Sequence, residues 1–367
     1  MRYLRRAHLL DGQAGRRFTL RQFRRLFRTT LILIALAGSC EGSAWAATTL
    51  RIWSATDTAA MTDLIDRFEA THSTIDIDYR EFNTAELHAA VLDGGDDAPD
   101  VVISSAMDLQ VDLVNRGLAI AARDMPELPQ WSTWRGELFG FTAEPVAVVY
   151  NKRTFEDRPL PRTRSELASM IRDDAAFFAR RIGTYDIRQS GVGYLLATQD
   201  AQRGYQFSRL VESFGRAFAR TFCCTSDMID AVAEDELSLA YNVIGSYAYE
   251  RVAADPRLGI LLFDDYALIF SRSAFIPKSA SNREAAEAFI RYLLSPNGQA
   301  TMRSASPLLP LDLPENPDGK DWRPEFVRNK PLVPIRMGLG LLTWLDALKR
   351  QSFISEWAKS IAGPTPP

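Results

Sequence analysis

The chain alternates short apolar runs with segments whose apolar residues recur three and four positions apart. Leu50–Ala55 reads as a strand. After it, Met61, Leu64, Ile65 and Phe68 fall on one face at helical spacing. Ile75, Ile77 and Tyr79 alternate with Asp76, Asp78 and Arg80, the pattern of a half-exposed strand. A second helix follows from Thr84 to about Asp93, then a Gly-, Asp- and Pro-rich turn. Val101, Val102 and Ile103 form a short, fully apolar run that suits a strand covered on both faces. Leu109, Leu113 and Val114 with Gly117 as the stop give the next helix. Strands alternating with helices predict a parallel α/β sheet. Ligands of such sheets sit beyond the carboxyl ends of the strands. Ser54, Thr56, Asp57, Ser104, Ser105 and Asp108 fall there.

Phe141–Phe155 is a long extended run, followed by a Pro-containing connector and a capped helix. A second α/β pattern then begins. A strand ends at Gly183-Thr184-Tyr185-Asp186, and Ser190-Gly191-Val192-Gly193 starts a helix. Further on come a helix near Gln206–Ala219, a helix start at Thr225-Ser226, and the strand Leu237–Tyr241. Gly259–Ala280 reads as one long extended crossing, Asn282–Gln299 as a helix broken by Pro296 and Gly298, and Leu341–Ala362 as a C-terminal helix. This predicts two α/β lobes joined by two crossings. Residues 47–145 and 275–367 form the first lobe and residues 146–274 the second.

Residues 1–30 change the charge picture, with nine arginines and one acid, Asp11. Leu31–Gly38 is a short apolar run, too short to span a bilayer. Ala44-Trp45-Ala46 has the form of a cleavage site. Residues 1–46 therefore read as a secretory signal, with a periplasmic product. Phe23–Arg28 contains a twin arginine, and the sequence ending at Cys40 resembles a lipoprotein box with Ala37 where Leu is usual. Removing residues 1–46 takes nine basic and two acidic residues and leaves 34 basic and 44 acidic ones, a net of −10. That argues against a nucleic-acid binder. Of the three cysteines, Cys223 and Cys224 remain, either bridged through a small ring or packed as two small side chains.

Candidate chemistry is binding rather than catalysis. His72 and His88 lie on polar helix sides, in no triad-like or metal-like spacing. There is no Walker loop, no Gly-x-Gly-x-x-Gly and no His/Cys cluster, so no cofactor is expected and no enzyme is called for. Ser104, Ser105, Ser190 and Gly191 instead stand at helix starts, where unpaired N–H groups favour an anion. Each serine alone could be an ordinary cap. Several such starts at strand ends in both lobes predict an anionic ligand held mainly by neutral donors. Thr56, Tyr185, Asn242, Ser246 and Tyr247 complete the expected set. Glu144, before Pro145, either binds a ligand hydroxyl or ammonium group or pairs with an arginine across the crossing. Arg188 is a second candidate over the anion, or an ordinary surface arginine.

The stretches Ala98–Ala119, Glu144–Lys152, Gly183–Leu195, Tyr241–Ala248 and Phe275–Gln299 resemble the extracellular solute-binding proteins of ABC transporters. The similarity is to the ferric-iron-type family of the type II periplasmic binding fold, including its phosphoglycerate-regulatory and hexose-phosphate branches. It implies two lobes, a hinge of two crossings and closure on a ligand, without reporting which ligand. It also implies an inner-membrane ABC permease as partner or, as an alternative, a membrane histidine kinase, with the binding protein a monomer. Ferric binders of this family carry adjacent tyrosines where this chain has Asn242-Val243-Ile244-Gly245. Val, Ile and Gly offer no ligand to a hard cation. An organic anion is therefore expected, and a ferric alternative would fall to Tyr241, Tyr247 and Tyr249.

Overall fold

The structure is a computed structural model that describes residues 48–95, 97–313 and 323–363. The expected leader, with its twin arginine and Cys40, lies outside the described residues. Among these, no helix is long and apolar enough to cross a membrane.

The first sheet is built as the periodicity predicts. Strand β1 (Thr48–Ser54) lies between β2 (Ile75–Glu81) and β3 (Val101–Ser104), parallel to both. Helices α1 (Thr58–Thr71), α2 (Thr84–Asp93) and α3 (Met107–Asn115) follow these three strands in turn. In α1, Met61, Leu64 and Phe68 are buried against the sheet, the face their spacing defines. Short strands β4 (Ala119–Ile120), β5 (Thr133–Trp134) and β6 (Leu138–Gly140) complete this part of the lobe. The chain then passes to the second sheet through residues 141–143 and enters β7 (Glu144–Asn151).

The second lobe runs through α4 (Arg164–Asp173), β8 (Ile182–Tyr185), α5 (Gly191–Ala201), α6 (Tyr205–Arg216), β9 (Arg220–Phe222), α7 (Thr225–Ala233), β10 (Leu239–Ile244) and α8 (Gly245–Ala254). Strand β8 lies parallel to both β9 and β10. The run expected as one crossing is three strands: β11 (Leu258–Leu261), β12 (Ala267–Phe270) and β13 (Ser273–Pro277). Asp264 and Asp265 interrupt it, and both are tied to arginines, Arg162 and Arg164. Strands β11 and β12 pair antiparallel with β7, whereas β13 returns to the first sheet beside β3. The second passage is thus residues 271–272. Both seven-stranded sheets are mixed, because the strands that carry the chain between lobes run antiparallel to their neighbours.

Helices α9 (Arg283–Leu294) and α10 (Pro296–Ser304) finish the first lobe. Pro296 opens α10, where its missing N–H costs nothing, and the Ser295 hydroxyl accepts from Gly298 N at 3.1 Å. Phe289, Ile290, Leu293 and Leu294 of α9 are buried. Burial of each such side chain contributes about 1.5–3 kcal/mol.

The C-terminal segment departs from expectation. Strand β14 (Leu332–Pro334) pairs with β12 of the second sheet. Met337 N then donates to Trp131 O of the first lobe at 3.0 Å, and α11 (Leu339–Leu342) packs on α3. Helix α12 (Ala347–Ile361) packs on α6 of the second lobe. The expected single C-terminal helix is broken because Asp346 caps α12, accepting from Lys349 N at 3.1 Å. Its apolar residues Phe353, Ile354 and Trp357 join Tyr194, Val211 and Phe207 in a small core that belongs to the second lobe.

Candidate functional site

Residues of the two lobes meet at the passages. Arg272 lies on the second passage and is 1% exposed. Its backbone N donates to Thr142 Oγ1 at 2.9 Å, and its carbonyl accepts from Phe141 N at 3.0 Å, so the two passages are bonded to each other. Its Nε donates to Glu144 Oε1 at 3.3 Å and its Nη1 to Thr56 Oγ1 at 2.9 Å. Nη2 is buried with no hydrogen-bond partner. The Tyr247 ring stands 4.9 Å from the guanidinium carbon. Burial works against the charge, yet Tyr247, Glu144 and Asp57 hold the guanidinium protonated. Burial likewise raises Glu144, outweighing the opposing pull of Arg272.

Arg272 lines a cavity of about 350 Å³ between the lobes. First-lobe lining comes from Asp57, Glu81 and Ser105, and second-lobe lining from Tyr185, Ser190 and Tyr247. Tyr247 Oη accepts from Asp57 N across the lobes at 3.3 Å. Burial and the neighbouring Asp57 and Glu144 charges raise the Tyr247 phenol against the pull of Arg272, so it stays neutral at ordinary pH. Three helices begin here without a side-chain cap: α3 after Ser105, α7 at Cys224 and α8 at Ile244. In α3 the first N–H, that of Met107, already donates to Ser105 O at 3.1 Å; the positive ends of α7 and α8 favour an anion. By contrast α5 is capped, with Ser190 Oγ accepting from Gly193 N at 3.1 Å.

Of the ten expected residues, Ser105, Tyr185, Ser190 and Tyr247 line this cavity. Thr56 and Glu144 lie directly behind it as partners of Arg272. Ser246 is fully buried beside Glu144, behind the cavity. Ser104 is turned inward, where its Oγ accepts from Ala106 N at 3.1 Å. Gly191 N donates to Thr84 Oγ1 at 2.9 Å, which makes it a contact between lobes rather than a free donor.

Asn242 is displaced from the site. It occupies a bulge of β10 at φ +62°, a conformation asparagine tolerates, and its Nδ2 donates to buried Asp200 at 2.8 Å. Tyr241 donates to the same carboxylate at 2.9 Å and accepts from Arg164 Nε at 2.8 Å. Tyr249 is exposed and stacks on Phe326. The tyrosines of the ferric alternative therefore point to three separate places. Arg188 folds onto the Asp186 carboxylate and does not line this cavity.

Cys223 and Cys224 are joined by a disulfide, and both line the cavity. Together with Asp227 they are the one His/Cys/Asp/Glu group among the described residues close enough for a shared metal ion. With both sulfurs in the disulfide, no thiolate is offered.

A second cavity of about 310 Å³ lies beside the first, lined by His88, Asp108, Asp112, Arg188, Tyr194 and Arg350 among others. Asp108 is buried and makes no hydrogen bond to another side chain, and burial pushes its carboxyl up to about 7. His88 is instead paired to Asp112 at 2.9 Å.

Sequence reading missed Arg272, and it placed Asp57 at a strand end without assigning it to the site. A signal for Arg272 existed: it is a lone charge between the apolar runs Ala267–Phe270 and Ala274–Ile276, on an expected crossing. A buried charge requires a partner or a ligand.

Residues 50–305 match the family described as bacterial extracellular solute-binding protein. No curated protein matches the chain. Among solved structures, the substrate binding protein of an ABC transporter from Agrobacterium tumefaciens is 29% identical, with a TM-score of 0.79 over 89% of this chain and 96% of that one. AfuA from Actinobacillus pleuropneumoniae, with fructose-6-phosphate bound, is 15% identical, with a TM-score of 0.69 over 86% and 98%. Iron-bound HitA from Pseudomonas aeruginosa is 19% identical, with a TM-score of 0.60 over 72% and 86%. The last two share the fold.

Proposed function

The chain belongs to the bacterial extracellular solute-binding proteins of ABC transporters, and from that premise we propose that it closes on a small organic anion in the periplasm and delivers it to an ABC permease. The observation that carries the anion is Arg272: a fully buried guanidinium whose Nη2 lacks a protein partner and which lines the cavity between the lobes. A buried polar group of this kind is stabilised by a charged acceptor. The uncapped starts of α3, α7 and α8, with Ser105, Tyr185 and Ser190, add neutral donors. Thr56 and Glu144 position the guanidinium. Closing the lobes around the ligand would produce the form the membrane partner reads. AfuA, with its bound fructose-6-phosphate, lends weight to a phosphorylated metabolite over a metal ion. So does the separation of Tyr241, Tyr247 and Tyr249.

A thermal-shift screen tests this reading, since a ligand that binds only the folded state raises Tm by mass action. The panel is phosphoglycerates, sugar phosphates, di- and tricarboxylates, inorganic phosphate and ferric citrate. A shift with an organic phosphate or carboxylate, lost in Arg272→Gln, is expected. A shift with ferric citrate alone would refute the reading.

A further inference from the structure

We infer that the ligand is a zwitterion, carrying an ammonium group as well as the anionic group held at Arg272. This deepens the proposed reading and rests on it. The inference comes from the charges around the cavity. Three carboxylates line it, Asp57, Glu81 and Glu86, against one guanidinium, Arg272. That guanidinium is already opposed by Glu144, which bonds its Nε. A ligand with negative charge only would enter a cavity whose acids outnumber its bases, and it would gain from one half-neutralised cation.

The three acids are not equivalent. Glu86 belongs to the capping box of α2, where Asn83 accepts from Glu86 N and the Glu86 carboxylate faces Asn83 N at 3.4 Å. Glu81 gives Oε2 to the start of α1, accepting from Thr58 N at 2.8 Å and Thr58 Oγ1 at 3.0 Å. Asp57 precedes that same helix and does not cap it with its own side chain. Burial and the neighbouring Glu81 charge both work against its ionisation, and Arg272 favours it. Asp57 and Glu81 therefore repel each other at the edge of the cavity. A ligand hydroxyl would donate to one of them and leave the repulsion in place. An ammonium would lie between two like charges and relieve it. Asp57 also shares Tyr247 with Arg272: the Tyr247 hydroxyl accepts from Asp57 N, and its ring flanks the guanidinium. Tyr247 thus touches both the acidic edge and the anion-binding end, an arrangement that suits a small molecule carrying both charges.

The test is a matched series of phosphate monoesters measured by titration calorimetry at low ionic strength: O-phosphoethanolamine, 2-hydroxyethyl phosphate and ethyl phosphate. The three differ at one terminal group. The carboxylates β-alanine, 3-hydroxypropionate and propionate repeat the comparison with a smaller anion. The expected result is that the amine of at least one series binds tenfold or more tightly than its hydroxyl and methyl analogues. Asp57→Asn and Glu81→Gln should each remove most of that preference for the amine. Arg272→Gln should weaken every member. If hydroxyl or methyl analogues bind as tightly as the amines, or if Asp57→Asn leaves the preference intact, the zwitterion is wrong and the anion site stands. If no member of either series binds at millimolar concentration, or if ferric ion binds and they do not, the anion reading of Arg272 fails and the zwitterion with it.

Discussion

Arg272→Met removes the guanidinium but keeps an unbranched apolar chain of similar reach. It leaves Glu144 with no cation, in a place where the residue is 0% exposed. Removing one partner of a buried pair costs about 3–5 kcal/mol, because the remaining charge is uncompensated. At roughly 2 °C per kcal/mol for a chain of this size, Tm should fall by about 6–10 °C at pH 8. The penalty must depend on pH. Burial already raises Glu144 while Arg272 exerts the largest opposing pull, so the variant's carboxyl titrates higher still. Between the unfolded and the folded pKa the native state binds the extra proton, and stability falls by about 1.4 kcal/mol for each unit of rising pH. The loss is therefore deepest at high pH and shrinks as the solution approaches the ordinary carboxyl range. Calorimetric melts of Arg272→Met from pH 5 to pH 8 read this directly, with Arg272→Met/Glu144→Gln as the reference that leaves no buried charge. A loss that does not change with pH, or a double variant no more stable than the single one at pH 8, would refute the reasoning.

Three further outcomes follow from the structure. Burial raises Asp108 to about 7, so the wild type loses stability as pH climbs from the ordinary carboxylate range through 7; Asp108→Asn should flatten that slope in Tm between pH 5 and pH 8, and parallel slopes would count against it. The segment from Ala47 to Pro367 contains two cysteines, both in the disulfide, so thiol titration of that segment unfolded in guanidinium should find none before reduction and two after. A Cβ on Gly215 of α6 would lie 1.9 Å from Ser360 O of α12, so Gly215→Ala should cost about 1–3 kcal/mol by forcing α12 away. Gly340→Ala, which meets nothing within 4 Å, is the control, and equal Tm values for the two variants would contradict that close approach.

Periodicity revealed what local patterning controls. The helix after β1 follows from its spacing because it buries one face against the sheet, and β3 from its short, fully apolar run, which is buried throughout. The placement of the C-terminal segment was not legible in this way. The apolar face of α12 matches either lobe, and only the fit of Phe353 and Trp357 beside Tyr194 and Val211 selects the second. Ser105 and Ser190 were legible because strand-to-helix transitions mark the edge of a cleft. Asn242 was misplaced because a bulge in β10 redirects its side chain toward Asp200, and the residue order in a strand does not reveal a bulge. Arg272 was overlooked for a different reason. Its role depends on Thr142 and Glu144, more than a hundred positions earlier, and local pattern carries no information about such pairs.

The place of Arg272 has a mechanical consequence. If Arg272 holds the ligand as proposed, the side chain offered to it belongs to the pivot itself: one passage contains it, and the other is bonded to its backbone. Recognition and leverage would then be vested in a single residue, with no relay through the lobes needed to report occupancy. Apparent affinity depends on the intrinsic contact and on the fraction of molecules already closed. Substitutions on the cavity walls, such as Ser105 or Ser190, adjust the first factor, whereas a change at 272 moves both together. Redesign of this protein for another solute would therefore proceed by rebuilding the walls around an untouched fulcrum.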